Sequence, residues 1–178
     1  VTDAELAAAI DAILAWEGTG FTPGDPAAGD PPTKAGIIDE ELGRWRRLGR
    51  KATAEELAAM PLEEARDIYR AWYIVGPHFD CLTDSALRQA IIDFGVNSGT
   101  DRAAWYLQKA AGVTPDMLVG PLTLAAVAAA NPLELLARVT RARVEVLVRW
   151  IRARPAARGA YAAVITRAVS HLPEMPGA

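Results

Sequence analysis

The run Glu17-Gly18-Thr19-Gly20-Phe21 sets a carboxylic acid at a break in a helix, where proton chemistry can be arranged. Gly18 is a good helix-terminating residue, so Glu17 falls at the C-terminal end of the helix before it. That end carries partial negative charge, which disfavours a carboxylate. Partial burial beside Trp16 or Phe21 acts in the same direction. Both effects favour the protonated form, as a general acid requires. The plainer reading is a solvated helix-end glutamate. Residues 18–34 then hold four Pro, four Gly and two Asp, which predicts an irregular loop or a short Gly-rich hairpin. Asp25 and Asp30 in such a loop have an ordinary use in Asx turns. Thr33-Lys34-Ala35-Gly36-Ile37 returns the chain to helix, and Thr33 has an ordinary use as its N-cap.

The elements that would hold this stretch are helical. Thr2-Asp3-Ala4-Glu5 is a capping box, and Leu6, Ile10, Ile13 and Leu14 follow at helical spacing. Helices are predicted over 39–48, over 54–60 behind a second capping box at Thr53 and Glu56, and over 62–73. Thr83 or Asp84 caps an apolar helix to about Asn97 that should be the central one. Thr100 or Asp101 caps the next, through Ala111. Gly120-Pro121 opens a short helix to Ala130. Asn131-Pro132-Leu133-Glu134 opens a long one that Pro155 stops after Arg154. A last helix covers about 157–171, and Pro173 and Pro176 mark a frayed tail. Trp72 and Tyr73 could line a sugar site, because aromatic faces pack on pyranose rings, or could be plain core. Asp93 and Asn97 lie one turn apart on one helix face. They could line a cleft or make buried hydrogen bonds to backbone.

Size and composition narrow the class. The chain has 178 residues, 51% hydrophobic and 23% charged, which suits one globular domain or two lobes on a shared core. Abundant Ala and the lack of alternating β-branched runs favour an α protein. No segment reads as membrane-spanning or as a signal peptide. Cys81 is the only cysteine, and His78 and His171 show no ligand spacing, so neither a disulfide nor a metal site is expected, and no cofactor. Residues 1–100 carry 9 basic and 17 acidic side chains, and residues 101–178 carry 10 and 5. The basic half could meet an anionic polymer or an outer-membrane surface, or could be a solvated Arg-rich face. Without a reading motif or net basic charge, nucleic acid is not an expected partner.

Four stretches together resemble the phage-type N-acetylmuramidases with an EGGY motif, glycoside hydrolase family 108. They are Glu17 to Phe21, Asp25-Pro26, Thr33 to Ile37, and Ile92-Asp93-Phe94 running to Asn97-Ser98-Gly99. Gly120-Pro121-Leu122-Thr123 is similar to the start of the C-terminal region often described as peptidoglycan-binding. This chain departs from the pattern by one extra residue before the aromatic, by Phe for Tyr, and by a longer loop before Thr33.

The resemblance implies a mainly α, lysozyme-like, two-lobed fold with a long central helix. It places a catalytic region in 1–112 and, packed on it as one compact unit, a peptidoglycan-binding-like region in 113–178; no cofactor is implied and a monomer is expected. It carries the essential acid onto Glu17. By analogy with lysozyme-like folds it offers Asp25, Asp30 and Thr33 for the second role, while Phe21, Tyr73, Asp93 and Asn97 are the expected substrate contacts. The implied reaction is hydrolysis of the β-1,4 bond between N-acetylmuramic acid and N-acetylglucosamine in bacterial peptidoglycan. An endolysin of this kind is made in the host cytoplasm, released through a holin, and lyses the cell. The alternatives are a lytic transglycosylase, which uses one acid and an internal hydroxyl, and a non-enzymatic peptidoglycan-binding protein.

Overall fold

The computed structural model describes residues 1–25, 29–153 and 158–173. Among the described residues it is mainly α, with one small sheet, as the sequence led us to expect. Pro26 of the Asp-Pro pair, the helix stop expected at Arg154 and Pro155, and Pro176 lie outside the described residues. The chain divides into two compact units, residues 2–72 and 73–178. This division is one of packing and is separate from the question of whether 113–178 binds the wall.

In the first unit, helix α1 spans Asp3–Glu17. Its capping box is formed: the Glu5 N–H donates to Thr2 Oγ1 at 3.2 Å, and the Thr2 N–H donates to the Glu5 carboxylate at 2.8 Å. Leu6, Ile10, Ile13 and Leu14 are buried, as their spacing predicts. Three two-residue strands follow, β1 Phe21–Thr22, β2 Thr33–Lys34 and β3 Ile37–Ile38, in an antiparallel sheet of that order. The sequence left room for a hairpin within 18–34, and the sheet runs four residues further. Thr33 is therefore a strand residue and not a helix N-cap. Helix α2 opens later, at Asp39, and runs to Trp45. It ends short of the expected Leu48 because Arg47 turns into the left-handed region, with φ of 55°.

Helix α3, Ala54–Ala58, starts on the second capping box as predicted. Helix α4, Leu62–Ile68, continues as a π-helix over Tyr69–Val75 where a single α-helix was expected. Two links fasten these pieces. Arg46 forks onto Glu64 at 2.8 and 2.6 Å, joining α2 to α4. The Lys34 ammonium donates to the Ala58 carbonyl at 2.5 Å, tying β2 to the end of α3.

The second unit is built around α5, Ser85–Ser98, whose first free N–H groups include that of Leu87, satisfied by Asp84 Oδ1 at 2.8 Å. Leu87, Ile91, Ile92 and Phe94 are buried, and α5 packs on α6 (Thr100–Ala111), α8 (Pro132–Ala153) and α9 (Arg158–Val169). It is the central helix of this unit. Helix α7, Pro121–Ala129, has Pro121 at its first position, and Asn131 Oδ1 accepts from the N–H groups of Leu133 and Glu134 to start α8. No single helix among the described residues is long and apolar enough to cross a membrane.

Candidate active site

Glu17 is the last residue of α1, and the Gly18 N–H closes the helix on the Leu14 carbonyl at 2.9 Å. The buried face of α1 therefore fixes where the acid's backbone lies. Its side chain is half-buried. The small sheet supplies the surface beside it. Phe21 pairs with Lys34, Thr22 with Thr33, and Thr33 with Ile38. The Ala35 N–H donates to the Gly20 carbonyl at 3.2 Å, which joins the β2–β3 turn to the segment leaving Glu17. Ala35 and Gly36 both have positive φ, 51° and 77°, as a two-residue type I′ hairpin turn demands. Gly36 has no room for a side chain. A β-carbon there would lie 2.4 Å from Tyr69 Oη and 2.9 Å from Glu17 Cγ. The Tyr69 hydroxyl, buried, donates to the Ala35 carbonyl at 2.9 Å.

The structure thus brings Glu17, the Ala35–Gly36 turn and Tyr69 together, with Phe21 and Thr33 on the adjoining strands. Phe21 is 37% exposed and Thr33 half-buried. Asp25 and Asp30 face each other further out along the hairpin, past the Thr22–Thr33 pair. Their backbones exchange hydrogen bonds at 3.0 and 2.9 Å. Gly24 allows this closure, since a β-carbon on it would meet the Asp30 carbonyl oxygen at 2.5 Å. Both aspartates are exposed.

Tyr73, Asp93 and Asn97 belong to the second unit. Tyr73 is a half-buried residue of the π-helix. Of the two readings open for Asp93, cleft lining or buried bonding, the structure shows the buried one. It is 1% exposed, and its carboxylate is taken up by Arg143 at 2.7 Å, Arg167 at 2.5 Å and His171 at 3.2 Å. Burial pushes its carboxyl up, but the His171 hydrogen bond and the Arg143 and Arg167 charges outweigh that and hold it at about 2. Burial likewise pulls the Arg143 guanidinium below its ordinary value, with Asp93 opposing. Asn97 is half-buried, and its Oδ1 accepts from Arg143 Nη2 at 2.6 Å. Asp93 thus organises a buried core, and half-buried Asn97 is joined to it through Arg143. Among the described residues, no group of three or more His, Cys, Asp or Glu side chains converges as metal ligands.

Sequence reasoning missed Tyr69, whose apolar spacing made it look like one more packing residue. The hairpin that it meets had a signal: Thr33-Lys34 and Ile37-Ile38 flank two residues, the second a glycine.

A helix ending on an acid, then a small antiparallel sheet, then helices is the lysozyme-like order, and it defines the class as a mainly α, lysozyme-like protein. Comparison with known proteins narrows this. Residues 10–99, just over half of the chain, match the family described as Glycosyl hydrolase 108. A solved structure, described as that of Brucella abortus SagA, is similar with a TM-score of 0.76 and 28% sequence identity, covering 97% of this chain and 98% of that one. Among curated proteins no match is found. The chain belongs to glycosyl hydrolase family 108. It is a glycoside hydrolase, and the family points to peptidoglycan as its substrate.

Proposed function

We propose that the enzyme is an N-acetylmuramidase that uses Glu17 as general acid. The observation that carries this is the seating of Glu17: a helix-end carboxylic acid packed against the Gly36 turn of a small sheet. Glu17 protonates the oxygen between N-acetylmuramic acid and N-acetylglucosamine as that bond breaks. Positive charge develops at the anomeric carbon of the muramic acid residue, and water adds there, giving a reducing N-acetylmuramic acid end. For the group that positions the water we favour Thr33 over Asp25 and Asp30. Thr33 lies two residues from the Ala35 contact with Gly20, whereas the aspartates sit beyond it along the hairpin.

In this reading the enzyme lyses the bacterial cell as a phage-type endolysin acting on the wall, with a holin or similar component giving it passage from the cytoplasm. Residues 113–178 add binding to the wall polymer, helped by the exposed arginines of α8. Glu17→Gln tests the acid: it should fold and lose at least about a hundredfold in hydrolysis of purified peptidoglycan. Undiminished clearing by that variant would remove Glu17 from the mechanism. Mass analysis of the products separates the chemistry, since 1,6-anhydro ends would replace hydrolysis by transglycosylation.

A further inference from the structure

We propose that Tyr69 is a positioning residue for the reaction, acting on Glu17 through the Ala35–Gly36 turn. This rests on Glu17 being the proton donor. Tyr69 is 1% exposed, and its hydroxyl donates to the Ala35 carbonyl at 2.9 Å. The turn that it holds is strained. Ala35 has φ of 51°, a left-handed conformation that costs a non-glycine residue about 1–2 kcal/mol. Two hydrogen bonds keep it there, one from Tyr69 to the Ala35 carbonyl and one from the Ala35 N–H to Gly20. Gly36 follows, and the Tyr69 hydroxyl and the methylenes of Glu17 converge on the place that a β-carbon there would take.

The geometry makes this more than a stabilising contact. The backbone of Glu17 is fixed by α1, and the packing of its methylenes sets the course of the side chain toward its carboxyl group. What Cγ rests against therefore decides where the proton is offered. Cγ rests on Gly36, and the Tyr69 hydrogen bond sets the height and tilt of that turn. A proton donor works only within hydrogen-bond reach of its target. A misplacement of about 1 Å costs on the order of a hundredfold.

Tyr69→Phe keeps the ring and removes the donor. Its kinetics on soluble, peptide-free glycan strands would be measured beside Glu17→Gln. We expect Tyr69→Phe to fold, to lose about tenfold to a hundredfold in kcat with KM within about twofold, and to shift the limb of the kcat–pH profile that Glu17 governs. A purely structural tyrosine would lower Tm and leave kcat and the profile as they are, and that result overturns the proposal. If Glu17→Gln is inactive while Tyr69→Phe behaves as wild type, the positioning role alone falls. If Glu17→Gln is fully active, the acid assignment falls and the role of Tyr69 with it. Should Tyr69→Phe fail to fold, Gly36→Ala intrudes on the same point. A folded Gly36→Ala enzyme with wild-type kcat would equally overturn the proposal.

Discussion

Gly36 lies directly against the side chain of Glu17: a β-carbon added to Gly36 would stand 2.9 Å from Glu17 Cγ and 3.1 Å from its Cβ. The same carbon would press on Tyr69 Oη at 2.4 Å, so a neighbour would have to shift. Gly36→Ala combines that overpacking with a φ of 77°, and together these should cost roughly 2–5 kcal/mol. Thermal melts would show the loss of stability. Activity per folded molecule should fall as well, because the methyl group displaces Glu17. A variant that melts early yet turns over normally would show that the acid tolerates the shift.

Asp93 answers two buried guanidiniums and a histidine with one carboxylate. Asp93→Asn removes the charge and leaves Arg143 and Arg167 buried without it. Breaking a buried pair in this way should destabilise the fold by about 3–5 kcal/mol. Chemical denaturation would measure it. A change under about 1 kcal/mol would mean that water or a rearranged partner replaces the carboxylate.

The same carboxylate gives stability a defined acid dependence. Its folded-state value is held at about 2, below the ordinary 3.8. Between those values the unfolded chain binds the proton and the folded chain does not, so stability rises with pH across that window. The contribution is fully present above pH ~4 and is lost as pH falls through ~2. Denaturation midpoints at successive pH values should show this slope in the wild type. The slope should be shallower in Asp93→Asn, and identical slopes would assign the acid sensitivity elsewhere.

The arginines of α8 have partners of differing strength. Arg141 pairs with Glu145 at 3.1 Å, and Arg149 donates to Tyr106 Oη at 2.7 Å. If this face docks on anionic wall polymer, Gln at 141, 149 and 152 should weaken sedimentation with wall sacculi several-fold at low salt. The difference should vanish at high ionic strength, where surface charge is screened. Equal binding at low salt would leave these side chains as solvated helix surface.

Much of the fold was readable because helix ends are local. Thr2, Thr53 and Asp84 satisfy N–H groups three residues away, so a short window of sequence identifies them. The helix-end position of Glu17 was readable for the same reason, since Gly18 marks the stop. The sheet was readable only in part: a hairpin was expected within 18–34, but strands of two residues are too short to show an alternating period, and Thr33 looked as much like a cap as a strand. The π-helix at Tyr69 was hidden too, since its apolar residues fit an α-helical face nearly as well. The burial of Asp93 was left open for a reason of distance. Its cations lie far away in sequence, and no local pattern reveals that a carboxylate on an apolar face will be buried against them.

That separation also bears on how the chain emerges from the ribosome. Arg143, Arg167 and His171 are 50, 74 and 78 positions downstream of Asp93. A nascent chain that has exposed α5 and α6 carries Asp93 without its counter-ions, and a lone carboxylate resists leaving water. Helix α5 would then stay loosely docked until α8 and α9 are made, so the second unit should consolidate in one late step and not helix by helix.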